Sequence, residues 1–115
     1  MADCLFCKIV AGEIPAKIVK RSADAVAFRD VDPKAPVHVL VIPTRHISAV
    51  RDAKGDDGER LLGSLLAFAA AVASEQGLDG EGYRIVTNTG RNAGQSVDHL
   101  HLHVLGGRKM SWPPG

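Results

Sequence analysis

The sequence has few of the features that would place it in a specialised class of proteins. Its 115 residues include only two cysteines, aromatic residues make up 4% of the chain, and the formal net charge is +1. Because acidic and basic residues are interspersed, we expect no charged face for a nucleic acid polymer. The longest purely apolar run, residues 65–73, is far shorter than the ~20 residues that a membrane-spanning helix needs.

The sequence also lacks internal divisions and targeting signals. Its first residues have neither the basic segment nor the apolar stretch of a secretory signal, so we expect a cytoplasmic protein with no membrane partner. No repeat or linker interrupts the chain, and 115 residues can bury one hydrophobic core. We therefore expect a single domain over residues 1–115.

Histidines alternate with leucines near the end of the chain. Residues 99–103 read His-Leu-His-Leu-His and hold three of the five histidines. Side chains of a strand alternate between faces, so this spacing predicts a strand with His99, His101 and His103 on one face. The three rings could bind a catalytic metal, or one ring could act as a nucleophile. A purely structural row is less favoured, because burying three rings costs more desolvation than burying apolar side chains.

The remaining chain predicts an α+β domain with a largely antiparallel sheet. Consecutive strands with a hairpin signal and only one long helix favour this class over a doubly wound fold. The predicted elements, in order, are a helix over 4–11 capped by Asp3 and closed by Gly12, strands over 17–20, 25–28 and 37–42, a helix over 59–76 closed by Gly77, a strand over 83–87 and the histidine strand. Residues 30–36 and 55–58 are predicted loops.

A polar loop over residues 88–96 leads into the histidine strand. It contains two glycines, several amide or hydroxyl side chains and one arginine. Such a loop can turn backbone N–H groups toward a phosphate, although it is not a Walker A sequence. The alternative is an ordinary polar hairpin loop. Because residues 88–96 run directly into the histidine strand, this loop would hold Ser96 beside the histidines.

The sequence resembles the histidine triad (HIT) family. The signature of that family is His-x-His-x-His followed by hydrophobic residues, and residues 99–105 match it. Further matching segments are Cys4-Leu5-Phe6-Cys7-Lys8-Ile9, Glu13-Ile14-Pro15-Ala16-Lys17, Asp32-Pro33-x-Ala35-Pro36-x-His38, Ile42-Pro43-x-x-His46-Ile47 and Gly94-Gln95-Ser96-Val97. The tail, Gly106-Gly107-Arg108-x-Met110-x-Trp112-Pro113-Pro114-Gly115, is similar to the nucleoside phosphoramidate hydrolase branch.

The resemblance implies a fold and a reaction. The implied fold is a five-stranded antiparallel sheet with one long and one short helix, and two such sheets join in a homodimer. The implied reaction is hydrolysis of purine nucleoside 5′-phosphoramidates to AMP or GMP through a covalent nucleotidyl-histidine. By resemblance, His101 attacks the α-phosphorus, His103 binds the phosphoryl oxygens, Ser96 assists the leaving group, and His38 supports the cluster.

The resemblance also implies a nucleotide-binding set. Asp30 would bind the ribose hydroxyls, and the loop would contact the phosphate. Ordinary core packing is the alternative for the apolar members, and capping of a turn is the alternative for Asp30. Besides His101 and His103, the implied set is Phe6, Ile9, Phe28, Asp30, Val31, Asn88, Gly94, Gln95 and Ser96.

A structural zinc ion is the cofactor that the resemblance implies. Cys4, Cys7, His46 and His99 match a Cys₂His₂ set found in some branches of the family, and such a set forms a closed tetrahedral site. No metal is implied for catalysis. The alternative is a pair of free cysteines on the short helix, with His99 bonded to another polar group.

Other activities and features stay open. A dinucleoside polyphosphate hydrolase or a nucleotidyltransferase would use the same intermediate, and a non-catalytic nucleotide-binding regulatory module would keep the histidines without turnover. Asp98 would point away from His99 on a strand, so it is a poor candidate for catalysis. By resemblance, the tail around Trp112 approaches the partner subunit's active site, whereas dimer packing is the plainer alternative.

Overall fold

Five strands, two helices and two short 3₁₀ turns make up the described part of the chain. The computed structural model describes residues 3–115. In those residues the helices and strands are α1 (Leu5–Val10), β1 (Ile18–Arg21), β2 (Ala25–Arg29), β3 (Val37–Pro43), α2 (Gly55–Glu75), β4 (Tyr83–Val86) and β5 (Leu102–Gly106), with 3₁₀ turns at Val50–Asp52 and Arg91–Ala93.

The five strands form one antiparallel sheet in the order β1-β2-β3-β5-β4. Strand β3 lies at its centre, and six of its seven residues are buried, as its continuous apolar run predicts. The predicted α+β class with a five-stranded antiparallel sheet, one long helix and one short helix is therefore confirmed. Within residues 3–115, neither helix is long and apolar enough to cross a membrane.

A different helix covers each face of the sheet. Helix α2 places its apolar stripe on one face, against alternate residues of β2, β3 and β5. Helix α1 contributes Phe6 and Ile9 to a second apolar cluster on the other face, with Val26, Phe28, Leu40 and Ile42. Because Leu40 pairs with His103 across the sheet, the second face also carries the histidines.

Strand β5 begins later than the alternation predicts. Its first residue is Leu102, so His99 and His101 lie before the ladder and the predicted strand through all three histidines is wrong at its start. Before the strand, the backbone N–H of Leu100 donates to the carbonyl oxygen of Ile47 at 2.7 Å, and the ring of His99 is fully buried against Cys4 of the α1 side. Leu100 and Leu102 still point into the core beneath α2, as predicted.

Both helices also begin differently from their predictions. The N-cap of α1 is Cys4 rather than Asp3, because the Cys4 Sγ accepts the backbone N–H of Cys7 at 3.3 Å. Gly12 follows the helix with φ of 77°, consistent with the predicted closure. Helix α2 begins at Gly55, so residues 55–58 are helical and the predicted loop is wrong.

Gly58 explains why a glycine lies in the first turns of α2. A Cβ atom at this position would lie 2.3 Å from the backbone carbon of Ala53, so only glycine lets the helix pack against the preceding 3₁₀ turn. Gly63, in the same helix, would have no heavy atom within 4 Å of its Cβ.

These two glycines predict opposite effects of the same substitution. We expect Gly58→Ala to lower the free energy of unfolding by about 1–3 kcal/mol through overpacking. We expect Gly63→Ala to raise it by about 0.5–1 kcal/mol, because alanine loses less backbone entropy in a helix. Urea denaturation of both variants beside the wild type measures the two changes. Equal effects of the two substitutions would contradict this packing of α2.

Candidate functional site

The ring of His101 is held in one orientation by the backbone of a neighbouring histidine. Its Nδ1–H donates to the carbonyl oxygen of His99 at 2.7 Å, and the ring is 4% exposed. The ring of Phe6 contacts it edge-on, with 5.2 Å between the ring centroids. Because a neutral imidazole carries one proton, this hydrogen bond leaves Nε2 of His101 unprotonated. An unprotonated, oriented ring nitrogen can act as a nucleophile.

A chain of hydrogen bonds fixes the tautomers of His38 and His103. The backbone N–H of Lys34 donates to Nδ1 of His38 at 3.0 Å, so the proton of the neutral His38 ring is on Nε2. That Nε2 lies 2.9 Å from Nδ1 of His103 and donates to it. The proton of His103 is therefore on its own Nε2, which is free to donate to a ligand. The ring of His103 lies beside that of His101, with 5.1 Å between the centroids.

Burial keeps the rings of His38 and His103 neutral near pH 7. Burial, and then the nearby rings of His101 and His38, lower the pKa of His103 to about 4. Burial also lowers the pKa of His38 below its ordinary value, against the opposing effect of the Asp30 carboxylate. Near neutral pH, His103 therefore presents an N–H donor without a charge.

This low pKa predicts how stability depends on pH. Between about pH 4 and pH 6.5 the unfolded chain binds a proton at His103 that the folded chain does not, so the free energy of unfolding falls as the pH is lowered through this window. We expect His103→Gln to make that fall shallower, although the variant keeps a contribution of the same sign from His38. Urea midpoints at pH 5 and pH 7 measure both slopes. Equal slopes in the variant and the wild type would contradict a depressed pKa at His103.

Asp30 lies next to these rings at the end of β2. Its backbone N–H donates to the carbonyl oxygen of His38 at 3.0 Å, and its Oδ2 lies 3.4 Å from Nε2 of His38. The other carboxylate oxygen, Oδ1, accepts the N–H of Asp32 at 2.8 Å, so Asp30 does cap a local turn. Each carboxylate oxygen has two lone pairs, and the side chain is 18% exposed, so Asp30 can still accept hydrogen bonds from a ligand.

An apolar cleft of about 990 Å³ is lined in part by Phe6 and Asp30, which contact His101 and His38. It is lined by Phe6, Ile9, Phe28, Asp30, Val31 and Ser96, all of which are members of the set implied by the family resemblance. Phe6 and Phe28 contact each other edge-on and form part of its wall. Val31 is fully exposed and lies at the rim rather than in the core. Clefts of this character, apolar with a few polar groups, are typical of small-molecule sites.

The loop over residues 88–96 reaches the cleft through Ser96, whereas Asn88, Gly94 and Gln95 are not among the residues that line it. The backbone N–H of Gly90 donates to the side-chain carbonyl oxygen of Gln95, while the Gln95 amide nitrogen donates to the carbonyl oxygens of Ser48 and Val97. The side chain of Gln95 therefore stabilises the loop. Gly94, with φ of 77°, lies in the left-handed region after the 3₁₀ turn. Asn88 is half-buried directly after β4 and Thr87.

Cys4, Cys7, His46 and His99 meet at one point on the α1 side of the sheet. One ligand atom from each of the four lies within 4.8 Å of the others. Nδ1 of His99 lies 3.2 Å from Sγ of Cys4 and 3.6 Å from Sγ of Cys7, and Nδ1 of His46 lies 3.4 Å from Sγ of Cys7. The predicted four residues are therefore brought together across 95 residues of sequence.

The donor set of this cluster fits a tetrahedral metal ion. Nε2–H of His99 donates to the carbonyl oxygen of Pro43 at 3.0 Å, which leaves Nδ1 unprotonated and aimed at the thiols. A ligating histidine in proteins usually donates its other ring N–H to an acceptor in this way. Two sulfur and two nitrogen ligands are the set of a closed structural zinc site.

Asp30, His38 and His103 also lie close together but fit a metal less well. Because Nδ1 of His38 accepts the Lys34 N–H, its Nε2 carries the proton and cannot ligate a cation while the ring is neutral. The hydrogen-bonded pair of His38 and His103 accounts for the cluster without a metal.

Some groups of the site have no signal in the sequence. The Lys34 N–H and the carbonyl oxygens of His99 and Pro43 are backbone atoms, so no side chain marks them. Thr87 is a further residue that the sequence interpretation missed. Its hydroxyl donates to the carbonyl oxygen of His101 at 2.9 Å and connects the segment of His101 to the end of β4.

The fold and the clustered histidines together define a protein with the architecture of HIT family hydrolases. The chain matches the HIT domain family over residues 11–110 and belongs to that family. It is 51% identical over 113 residues to an uncharacterized HIT-like protein of Synechococcus elongatus, covering 98% of this chain and 97% of that protein. An uncharacterized HIT-like protein of Synechocystis is 50% identical over 113 residues, which cover 98% of this chain and 97% of that protein.

Solved structures support the same family. A crystal structure of a HIT family hydrolase from Legionella pneumophila has a TM-score of 0.94 and 50% identity, over 98% of this chain and all of that one. A histidine triad protein from Clostridium difficile has a TM-score of 0.92 and 38% identity, over 96% of both chains. The resemblance stated from the sequence is thus confirmed at the level of family and fold.

Proposed function

We propose that this protein is a nucleotide hydrolase that cleaves purine nucleoside 5′-phosphoramidates through a covalent nucleotidyl-histidine. The observation that carries the proposal is the hydrogen bond from His101 Nδ1–H to the carbonyl oxygen of His99, which leaves Nε2 unprotonated in a ring that contacts Phe6 of the apolar cleft. Membership of a family with solved hydrolases supports the reaction class. We further propose that residues 1–115 act as one HIT domain.

The reaction would proceed in two displacements. Nε2 of His101 attacks the α-phosphorus as the P–N bond breaks, and the leaving amine takes up one proton from water. The ring of His101 then carries the nucleotide on Nε2 and keeps its proton on Nδ1, where the His99 carbonyl stabilises the positive charge. Water next attacks the phosphorus, which breaks the new P–N bond and releases the nucleoside monophosphate and one proton.

The neighbouring groups would bind the charge that develops on phosphorus. Nε2–H of His103 is a preoriented donor for a phosphoryl oxygen, and His38 holds it in that tautomer. Ser96 lines both the apolar cleft and a second surface pocket, and it would assist the leaving group. The loop containing Gly94 and Gln95, together with Asn88, would complete the phosphate contacts.

The apolar cleft would hold the nucleoside. Phe6, Ile9 and Phe28 provide apolar surface for a base, and Val31 would cover the base from the rim. Asp30 would accept hydrogen bonds from the two ribose hydroxyls while keeping its contact with His38. The proposed preference for purines rests on the similarity of the tail to the phosphoramidate hydrolase branch.

Asp30→Asn tests the ribose contact. We expect KM for adenosine 5′-phosphoramidate to rise about tenfold, because hydrogen bonds to a charged acceptor are stronger than those to a neutral one. The 2′-deoxy substrate should already bind weakly to the wild type and lose little more in the variant. Steady-state kinetics on both substrates measures the difference. An equal rise in KM for both substrates would contradict a ribose-binding role.

We also propose a structural zinc ion on Cys4, Cys7, His46 and His99. The set would connect α1 to the segment before β5 and would leave no open position for substrate. Catalysis requires no metal in this mechanism. When bound, the ion would supply cross-linking of the fold rather than chemistry.

We propose that two copies form a homodimer by joining their sheets. Among the described residues β4 has β5 as its only strand partner, and all four residues of β4 are half-buried rather than exposed. Leu66 on α2 and Trp112 in the tail are exposed apolar side chains that a partner could cover. Light scattering after size exclusion should give twice the chain mass, and a monomer would contradict the proposal.

The substrate class is tested by comparing two leaving groups. We expect turnover of adenosine 5′-phosphoramidate to AMP, with much lower kcat/KM for diadenosine tetraphosphate. Preference for the dinucleotide would instead favour a dinucleoside polyphosphate hydrolase. Nucleotide binding without turnover of either substrate would favour the regulatory module.

A further inference from the structure

The backbone of Lys34 connects an exposed arginine to the buried histidines. The Lys34 N–H donates to Nδ1 of His38 at 3.0 Å, and the carbonyl oxygen of Lys34 accepts Nε–H of Arg108 at 3.0 Å. The Lys34 side chain points elsewhere and pairs with Asp32 at 2.6 Å. Arg108 is exposed, lies outside the cleft and follows the last strand.

The chain after β5 packs closely enough on this loop to position the arginine. Gly107 has φ of 90°, and a Cβ there would lie 2.9 Å from Cβ of Pro36. Nη1–H of Arg108 also donates to the carbonyl oxygen of Lys109 at 3.1 Å, which restrains the guanidinium. The close approach of Gly107 to Pro36 and the hydrogen bond from Arg108 to Lys34 thus hold the 33–36 loop against the segment that follows β5.

The hydrogen bond from the 33–36 loop determines which ring nitrogen carries the proton in His38 and, through it, in His103. A Lys34 N–H aimed at Nδ1 of His38 requires the proton of that ring to be on Nε2. His38 Nε2–H then requires Nδ1 of His103 to be an acceptor, and so the proton of His103 is on Nε2. If the loop moved, His38 could exchange its proton between the two nitrogens, and a share of His103 would present a lone pair where phosphate needs a donor.

We propose that Arg108 is a positioning residue, which holds the Lys34 peptide so that His38 and His103 keep the tautomers that make His103 a phosphate donor. Its effect on turnover rests on the proposed function, whereas its effect on the tautomers does not. Arg108 makes no contact with the cleft and would act only through Lys34.

The test compares Arg108→Ala, Arg108→Lys and the wild type by ¹H–¹⁵N correlation NMR of the histidine rings. We expect one Nε2–H tautomer for His38 and for His103 in the wild type, and a second tautomer in Arg108→Ala. Lysine can still donate one hydrogen bond to the Lys34 carbonyl, so Arg108→Lys should recover most of the wild-type pattern. Arg45→Ala is the matched control, since Arg45 is an exposed arginine that pairs with Asp57 at 2.9 Å.

Kinetics on adenosine 5′-phosphoramidate provides the second readout. Loss of one hydrogen bond that acts indirectly should lower kcat about threefold to tenfold, with KM within about twofold. Wild-type ring spectra in Arg108→Ala, or an Nδ1–H tautomer of His103 in the wild type, would overturn the proposal. A changed tautomer in Arg108→Ala, with no turnover by the wild type, would support the positioning role and reject the proposed function instead.

Discussion

Replacing His101 by alanine is expected to lower kcat for adenosine 5′-phosphoramidate by at least about a thousandfold, because the proposed nucleophile has no substitute in the site. His103 cannot take over, since its Nδ1 accepts from His38 and its Nε2 carries the proton. The fold should persist, because the alanine removes one ring from the sheet face and leaves the core beneath α2 unchanged. Single-turnover kinetics with circular dichroism measures both properties.

A second substitution separates loss of the nucleophile from general damage. His101→Gly leaves a space beside Phe6, and added imidazole should restore part of the activity by attacking in place of the missing ring. Imidazole should leave the activity of His103→Ala unchanged, because that variant keeps its nucleophile. Wild-type rates in His101→Ala would reject this residue as the nucleophile.

Removal of the two thiols is expected to have the largest effect on stability. Protein purified without chelator should contain about one zinc per chain, as a closed four-ligand site requires. The double variant Cys4→Ser, Cys7→Ser should contain none and should unfold on the order of 10 °C lower, because metal binding contributes directly to folding free energy. Measurable hydrolysis should remain at 25 °C, since the ion has no catalytic position.

A chelator provides the control for the double variant. Treating the wild type with chelator should lower its Tm to a similar value, and added zinc should restore it, whereas zinc should leave the double variant unchanged. Wild-type protein without zinc, with the same Tm as the double variant, would favour the alternative of two free cysteines on α1.

The sequence predicts the sheet well because its strands are strongly patterned. The continuous apolar run of β3 indicates a central buried strand, and the hairpin signal around residues 21–24 indicates the pairing of β1 with β2. The start of α2 was predicted too late, because Gly55 and Gly58 are typical of loops. Gly58 is required by a tertiary contact with Ala53 that local pattern does not encode.

The site is only partly predictable for a related reason. Alternation correctly groups the histidines on one side, but it treats the three rings as equivalent. The rings differ because each contacts groups that are distant in sequence. His99 lies against a thiol of the α1 side, and the tautomer of His103 is set by His38, which accepts the Lys34 N–H. The His99 carbonyl that orients His101 is a backbone atom, so no sequence pattern marks it.

The most direct test of the mechanism is detection of the nucleotide on His101. Wild-type protein is mixed with adenosine 5′-phosphoramidate, quenched in base within one turnover because P–N bonds to histidine are labile in acid, digested and mapped by mass spectrometry. We expect an adenylyl group on the peptide containing His101, and no such group in His101→Ala. Turnover to AMP without any adduct, or an adduct on a different residue, would contradict it.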